Sequence, residues 1–434
     1  MDISLRNAIH QLNPWLTAAD CRILDLHHFI QRKQTEVLLL PDWDSLWTIL
    51  VGPRQAGKTT LGKYLCHEMV QSQRVSQLFY LSCDYLEIRD WLEKGPQFIE
   101  KVLAFWKLDK PVLFIDEAQR LSNPGLLLKA IADLHLPMKL IASGSSHLEI
   151  KSKIQEHLTG RHLECLVLPL SQSEMIEDDL SLEERLLYGA YPNITRTRQK
   201  EILLRQLYSD YISKDIIEIL KIGKPDVMEK LVGLMAHCAG QLVNYQQLAT
   251  DCRVTIPTVQ NYLSILEKTY VLCAVRPFVG NKRTEITSNP IYYFIDNGFR
   301  NQALKNFSPL ESRTDTGLLV ENYVFQELLK YKTHRFSDYS IYYWRTKSGA
   351  EVDFIIKYGQ TIIPIEVKYR TVRTAKITRG FRSFLDAYQP PLSIVITKTF
   401  SEKREIEGCE VLFIPLAEMD ELFRFIDGAL KVTL

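Results

Sequence analysis

The stretch that decides the fold is Thr48-Ile49-Leu50-Val51-Gly52-Pro53-Arg54-Gln55-Ala56-Gly57-Lys58-Thr59-Thr60, where an apolar strand pattern runs into a loop and then into a helical pattern. Residues 52–59 fit the spacing G-x-x-x-x-G-K-[ST] at every required position. The two glycines allow the backbone to aim several N–H groups at phosphate oxygens, and the helix that follows adds its positive end. The stretch therefore predicts a phosphate-binding loop, with ATP as the expected ligand.

The side chains of this loop have predicted roles. Lys58 is expected to reach the β- and γ-phosphates and to take part in catalysis, and the Thr59 hydroxyl is expected to bind Mg²⁺. A chance turn before a helix is the alternative, and the agreement of motif and context argues against it. The other positions predicted to contact the nucleotide are Gly52, Pro53, Arg54, Gln55, Ala56, Gly57 and Thr60.

A second motif indicates hydrolysis and not only binding. Residues 112–117 read Val-Leu-Phe-Ile-Asp-Glu, an apolar strand that ends in two carboxylates. Asp116 is expected to hold Mg²⁺ beside the nucleotide, and Glu117 is expected to polarise the attacking water as a catalytic residue. Because both follow the phosphate loop within the same α/β pattern, the pair is stronger support than either carboxylate alone.

Two weaker candidates complete the predicted nucleotide site. Ser145 and Ser146 follow the next apolar strand, where a polar side chain can sense the γ-phosphate, and a simple turn is the alternative. Arg161 is a candidate arginine finger that would act in its own chain or in a neighbouring subunit. An ordinary surface arginine is the alternative for Arg161.

Length and composition limit the classes of protein. A chain of 434 residues predicts two or three domains. The net charge of +1 gives no overall basic bias, so any contact with nucleic acid must come from local patches. The eight cysteines form no CxxC pair, which argues against a zinc ribbon or a disulfide framework. No signal peptide or membrane span is evident, and we expect a cytoplasmic protein without a membrane partner.

The apolar pattern divides the chain into four predicted segments. Residues 1–45 read as a helical lead-in, and residues 46–175 alternate strands and helices as a parallel sheet with helices on both faces does. Residues 176–310 are mostly helical, and residues 311–434 form a second α/β pattern. The predicted strands of the ATPase segment are Thr48–Val51, Leu78–Ser82, Val112–Ile115, Lys139–Ala142 and Leu163–Leu168.

The middle segment fits a helix-turn-helix closed by a strand, the pattern of a winged helix. We predict helices at Tyr245–Cys252 and Ile256–Lys268 and a wing strand at Tyr270–Val275. The candidate recognition helix carries one basic residue, Lys268, so a protein-binding or structural role is an equal alternative to DNA readout. The side chains that could touch DNA are Thr258, Gln260, Asn261, Arg276, Lys282 and Arg283.

Acidic side chains on the strands of the last segment form a second candidate site. Asp353 and Glu366 fall on two strands joined by a Gly turn, and Lys368 shares a strand face with Glu366. Glu321, on the helix before them, completes a possible ligand set for a divalent metal that cleaves phosphodiesters. Charged strand ends are common, so an inactive scaffold or binding platform is the alternative.

Short motifs run in order along nearly the whole chain: GPRQAGKTT, LFIDEAQ, ASGSS, LTGR, PLSQSE, GAYP, YFIDNGFRNQAL, GLLVE and EVDFII with IEVK. In this order they resemble a prokaryotic AAA-type ATPase with a C-terminal DUF4143 region. The resemblance implies a RecA-like P-loop ATPase core, a winged helix and a restriction-endonuclease-like PD-(D/E)XK domain. It matches Lys58, Thr59, Asp116 and Glu117 to the ATPase motifs, and Glu321, Asp353, Glu366 and Lys368 to the nuclease-like motifs. Asn297 departs from the family, where DTG is usual.

Two functions from different classes follow. In the first, ATP turnover drives a nucleic-acid-binding C-terminal half with metal-dependent nuclease activity, and DNA is a partner. In the second, the protein is a nucleotide-dependent switch that binds other proteins, as signalling ATPases do. A small-molecule kinase fits poorly, because Glu117 beside Asp116 suits water activation better. A homo-oligomer is compatible with either function.

Overall fold

The structure is a computed structural model, and it describes residues 3–16, 29–43, 45–145, 161–175, 180–219, 222–278, 289–371 and 374–430. The chain divides into two compact units, Met1–Leu168 and Pro169–Leu434. This differs from the four predicted segments. The helical lead-in belongs to the first unit, and the two segments after residue 175 form a single second unit because their strands share one sheet.

The first unit is built on a five-stranded sheet in the order β2-β3-β4-β1-β5. All of its strand pairs are parallel, as the alternating pattern predicts. The near-continuous apolar sequences suit strands that are buried on both faces. The strands are β1 Trp47–Val51, β2 Leu78–Ser82, β3 Val112–Asp116, β4 Lys139–Gly144 and β5 His162–Leu166.

The lead-in packs directly on this sheet. Leu5 and Ile9 of the first helix are buried in the same apolar core as the strands. Asn13 is fully buried, donates to the Tyr80 carbonyl at 2.8 Å and accepts from the Tyr80 N–H at 2.6 Å. The lead-in therefore occupies the outer edge of β2. The helices of this unit are α1 Ile3–Leu12, α2 Thr35–Leu38, α3 Lys58–Gln71, α4 Leu86–Glu93, α5 Gln97–Phe105 and α6 Pro124–Asp133.

The second unit contains an eight-stranded mixed sheet in the order β12-β13-β11-β10-β9-β8-β6-β7. Its strands are β6 Leu272–Pro277, β7 Ile291–Phe294, β8 Ser340–Arg345, β9 Glu351–Tyr358, β10 Thr361–Lys368, β11 Ser393–Thr397, β12 Glu402–Ile406 and β13 Cys409–Pro415. Its helices are α7 Leu182–Tyr188, α8 Pro192–Thr195, α9 Lys200–Ser209 (continued by a π-helix, Asp210–Ile219), α10 Pro225–His237, α11 Tyr245–Cys252, α12 Ile256–Lys268, α13 Asn297–Leu304, α14 Thr316–His334, α15 Arg379–Tyr388 and α16 Met419–Leu430. No helix within these described ranges is long and apolar enough to cross a membrane.

Three helices, α10 to α12, lead into the antiparallel pair β6 and β7. The Thr255 side chain caps α12 by accepting from the Thr258 N–H, as its sequence position predicts. The helices at Tyr245–Cys252 and Ile256–Lys268 lie where the sequence predicts them, and a winged helix stays a prediction. Strand β6 also pairs with β8 through Arg276 and Pro277, which joins the middle segment to the last one.

The last segment runs α14, β8, β9, β10, α15 and β11. Strands β8 to β10 form an antiparallel meander, and β11 joins β10 in parallel. The elements of this segment therefore run in the order α-β-β-β-α-β. The sequence analysis did not anticipate β12, β13 or α16, which extend the sheet and cover it.

Asn297, the departure from the family motif, lies in a buried amide cluster of the second unit. Its Nδ2 donates to the Leu319 carbonyl at 3.1 Å, and its Oδ1 accepts from Asn322 and Gln326 at 2.8 and 3.0 Å. The preceding Asp296 accepts from the Ala190 N–H at 2.8 Å. Asn297 and Asp296 therefore link α13 to α14 and to the segment after α7.

Candidate functional site

The phosphate loop has the backbone that its glycines predict. Gly52 has φ of 143°, and a Cβ there would lie 2.2 Å from the Val167 carbonyl oxygen. Gly57 has φ of 96° and precedes the first residue of α3. Gln55 also has a positive φ of 56°. A side chain at Gly52 would collide with the neighbouring backbone, so this position requires glycine.

Lys58 and Thr59 begin α3 beside the end of β3. The Lys58 ammonium is buried and donates to the Gly52 and Pro53 carbonyls at 3.0 and 2.7 Å. The Thr59 hydroxyl lies 2.9 Å from Oδ2 of Asp116. The structure thus brings together the three groups predicted to hold phosphate and Mg²⁺. Hydroxyl and carboxylate oxygens at a helix N-terminus fit a magnesium-bound triphosphate.

Two residues that the sequence analysis missed hold Asp116. The Tyr80 hydroxyl donates to its Oδ2 at 2.8 Å, and the Ser143 hydroxyl donates to its Oδ1. Burial raises the pKa of Tyr80, and Asp116 adds to that rise, so the phenol stays protonated as a donor. The pairing of Ile115 with Ala142 places Ser143 next to Asp116, a register that spacing along the chain does not reveal.

Glu117 follows β3 in the left-handed region, with φ of 55° and ψ of 39°. Its carboxylate accepts from Nε2 of Gln119, and the same nitrogen lies 2.9 Å from the Ser145 hydroxyl oxygen. Ser145, the predicted γ-phosphate sensor, is therefore linked to Glu117 through the Gln119 amide. Ser146, the other candidate, falls outside the described residues.

Arg32, in the lead-in, is a third residue that sequence reasoning missed. Its buried guanidinium donates to the Ala56 carbonyl at 2.9 Å and to the Leu168 carbonyl at 2.6 Å. It thus fixes the phosphate loop from the side of the lead-in. No motif marks this arginine, because its partners are backbone atoms.

Arg161 lies at the wrong end of the sheet to act in its own chain. Its carbonyl accepts from the Trp47 N–H, at the start of β1, whereas the phosphate loop follows the end of β1. A five-residue strand spans about 16 Å. Its exposed guanidinium instead lies 3.4 Å from Asp133. The predicted role within the chain is therefore wrong, and a role in a neighbouring subunit stays a prediction.

The four charged residues of the second candidate site meet where β9 and β10 lie side by side. Asp353 and Glu366 stand one residue beyond the last paired positions, Phe354 and Ile365. Glu366 is buried, accepts from the Thr378 hydroxyl at 2.9 Å and pairs with Lys368 at 2.8 Å.

Glu321 and Asp353 line a cavity of about 570 Å³ whose wall also includes Gly240 and Trp344. Glu321 accepts from the Tyr293 hydroxyl at 2.7 Å, and Asp353 accepts from the Val367 N–H at 2.7 Å.

Burial governs the protonation of this site. It raises the pKa of Asp353 to about 7, against the opposing effects of Lys368 and the Val367 N–H. It also raises the pKa of Glu321 well above the usual range, and the nearby Asp353 adds to that rise. Burial lowers the pKa of Lys368, but the Glu366 and Asp353 carboxylates outweigh it, so the net shift is upward. The lysine thus stays charged beside an Asp353 carboxyl whose pKa of about 7 lies near neutral pH.

In the part of the chain that the structure describes, no group of three or more histidine, cysteine or acidic residues is arranged to hold a metal ion. The predicted set of Glu321, Asp353 and Glu366 is close enough to interact electrostatically, yet each carboxylate has a protein partner. The three carboxylates therefore lie near one another, but among the described residues they do not form a metal-binding site.

Of the residues predicted to face DNA, Gln260, Asn261 and Arg276 are exposed. Thr258 is partly buried, and its hydroxyl lies 2.9 Å from that of Thr255 at the start of α12. Lys282 and Arg283 lie outside the described residues.

Comparisons with protein families divide the chain into three matched regions. Residues 44–176 match the family described as an AAA domain. Residues 179–310 match a domain of unknown function, DUF8612, and residues 316–418 match a second one, DUF4143. Together these matches cover both candidate sites.

Two curated proteins are similar to this chain over most of their length. The uncharacterized protein Rv2008c of Mycobacterium tuberculosis is 25% identical over 344 residues, covering 78% of this chain and 73% of its own length. The uncharacterized protein MJ1637 of Methanocaldococcus jannaschii is 22% identical and covers 85% of this chain and 83% of its own.

Two solved structures are similar over part of the chain. The structure of C. elegans PCH-2 is 13% identical, covers 61% of this chain and 68% of its own, and gives a TM-score of 0.26. The E. coli MS115-1 HORMA:CdnC:Trip13 complex has a chain 14% identical, which covers 49% of this chain and 78% of its own at a TM-score of 0.23. TM-scores this low support no statement about the fold or function of this chain. The resemblance inferred from the sequence is confirmed in that the chain contains an AAA-type ATPase domain, which implies nucleotide binding, and a DUF4143 domain.

Proposed function

We propose that the protein is a Mg²⁺-dependent ATPase whose first unit binds ATP at residues 52–60. The observation that carries this proposal is the direct contact between the Thr59 hydroxyl and the Asp116 carboxylate, beside the buried Lys58 ammonium. Mg²⁺, when bound, neutralises charge on the phosphate oxygens, and Thr59 and Asp116 are the residues that would hold it.

The remaining side chains have separable tasks in this proposal. The Lys58 ammonium exchanges its two carbonyl partners for phosphate oxygens, since a charged donor bonds an anion more strongly than a neutral carbonyl. Tyr80 and Ser143 hold Asp116 in place with hydrogen bonds to its two oxygens. Glu117 orients and polarises the attacking water.

The Thr59 hydroxyl provides the test of this proposal. The wild-type chain should hydrolyse ATP with Mg²⁺ and not with EDTA. Thr59→Ala should raise the Mg²⁺ concentration for half-maximal rate by about tenfold or more, because it removes one of the two protein oxygens offered to the metal. Thr59→Ser, which keeps the hydroxyl, is the matched control and should stay close to wild type. Steady-state phosphate release across a Mg²⁺ titration measures both, and an unchanged Mg²⁺ requirement in Thr59→Ala would contradict the proposal.

For the second unit we propose a nuclease-like domain that acts on DNA, in the order α-β-β-β-α-β with its charged residues gathered where β9 meets β10. The exposed Gln260, Asn261 and Arg276 of the winged-helix segment support a DNA-facing surface. A protein-binding switch with an inactive nuclease-like domain is the second candidate. The observation that favours this candidate is the pairing of Glu366 with Lys368 and Thr378, which leaves its carboxylate engaged within the protein.

One experiment separates these two functions. Plasmid, linear and single-stranded DNA are incubated with Mg²⁺ or Mn²⁺, with and without ATP. If the domain is a nuclease, the wild type cleaves and Glu366→Ala loses cleavage by about 100-fold or more, since a missing metal ligand removes the charge that stabilises the transition state. Lys58→Ala tests coupling to ATP.

ATP turnover measured in the same samples gives the second readout. DNA stimulation without cleavage would leave a DNA-binding role. Intact DNA in every sample, with turnover unchanged at saturating DNA, would favour the protein-binding switch.

A further inference from the structure

Gln119 joins Glu117, the predicted water-activating carboxylate, to Ser145, the predicted γ-phosphate sensor. Its Nε2 donates to Oε2 of Glu117 and lies 2.9 Å from Oγ of Ser145. Both partners come from different strand ends, since Glu117 follows β3 and Ser145 follows β4. Among the described residues, no other side chain bonds to both Glu117 and Ser145.

The chemistry of the amide fixes its orientation. An amide NH₂ carries two hydrogens, and here one goes to each partner. The reverse orientation would place the amide oxygen against the Glu117 carboxylate, where both groups only accept. Because Ser145 accepts from Gln119, its own hydroxyl hydrogen remains to be donated. A phosphate oxygen is the acceptor that a bound triphosphate would supply.

A structural role would be the simpler explanation, because Gln119 lies in the short turn Ala118–Arg120. That turn has other restraints. The Arg120 N–H donates to the Glu117 carbonyl at 3.0 Å, and the Leu121 N–H donates to the Ala118 carbonyl at 3.1 Å. The Arg120 guanidinium also pairs with Asp84 at 2.5 Å. In addition, Oε1 of Gln119 is buried without a hydrogen-bond partner among the described residues, so this oxygen does not stabilise the turn.

We propose that Gln119 is a positioning residue that couples Glu117 to the γ-phosphate through Ser145. This inference rests on the proposed ATPase function. Ser145 donates its hydroxyl hydrogen to the terminal phosphate, and the orientation of Ser145 sets that of the Gln119 amide. The amide in turn sets the direction of the Glu117 carboxylate, since a hydrogen bond from a fixed donor restricts where the carboxylate points. Gln119 itself touches neither nucleotide nor water.

Three variants test the proposal. Gln119→Ala should lower kcat by roughly 10- to 100-fold with KM within about threefold, as expected when a base is misdirected and binding is intact. Gln119→Met, which keeps the length of the side chain but has no N–H donor, should lower kcat by a similar factor. Ser145→Ala combined with Gln119→Ala should cost little more than either change alone, because both interrupt the same chain of hydrogen bonds.

Arg120→Gln is the matched control, because it alters the same turn and removes the pair with Asp84. It should stay within about twofold of the wild-type kcat. Thermal unfolding of each variant checks that it is folded. Wild-type kcat in Gln119→Ala or in Gln119→Met would overturn the coupling role while leaving the ATPase proposal standing. A wild-type chain that does not hydrolyse ATP with Mg²⁺ would overturn the ATPase proposal itself.

Discussion

Glu117→Gln is expected to bind ATP as the wild type does and to lose hydrolysis by about 10²- to 10⁴-fold. The amide has nearly the shape of the carboxylate, so packing at the end of β3 is preserved. It cannot accept a proton from water at neutral pH, and it carries no charge to polarise the water. The loss should therefore appear in kcat, and the dissociation constant for ATP should change by less than about threefold.

Phosphate release and calorimetric titration with ATP measure these two quantities separately. Glu87→Gln is the matched control, because it makes the same chemical change at an exposed position of α4. Turnover at the wild-type rate in Glu117→Gln would show that another group activates the water.

The largest expected effect on stability comes from Lys330→Met. Lys330 and Glu327 are both about 1% exposed and pair on α14 at 2.9 Å, while the other oxygen of Glu327 accepts from the Gln172 N–H at 2.9 Å. Removing the ammonium would leave a buried carboxylate with no opposite charge. The free energy of unfolding of the second unit should fall by about 3–5 kcal/mol.

Adding Glu327→Gln should restore a large part of this loss, because it removes the uncompensated charge and keeps an oxygen for the Gln172 N–H. Urea unfolding followed by far-UV circular dichroism measures the series, with Lys268→Met on the exposed face of α12 as the matched control. A cost in Lys330→Met no larger than that of the control would mean that the pair contributes little.

The sequence predicted what is local in this fold. The phosphate loop, the carboxylates at the end of β3 and the bounds of α12 depend on residues close together in the chain, and local patterns identified them. Local patterns did not predict the side-chain partners that are set by strand register. Ser143 and Tyr80 reach Asp116 only because β4 and β2 flank β3 in a particular alignment.

Arg161 shows that residues close together in sequence can lie far apart in the fold. It lies close in sequence to the predicted sensor serines, yet β5 begins after it and runs parallel to β1, so it falls at the far end of the sheet. The pairing of β6 with β8, which joins the last two predicted segments in one unit, likewise involves residues far apart in sequence. Long-range pairing leaves no mark in a local pattern.

The hydrogen bonds along the outer edge of β2 bear on how the ATPase unit can be produced alone. Asn13 bonds to both backbone groups of Tyr80, and the Trp15 indole donates to the Leu78 carbonyl at 2.8 Å. A fragment that starts at residue 44, where the AAA match begins, would leave these backbone groups bare on a flat edge strand. Such an edge is a template for pairing with other chains, so the fragment would be prone to aggregation. Expression of the isolated unit should therefore start before α1.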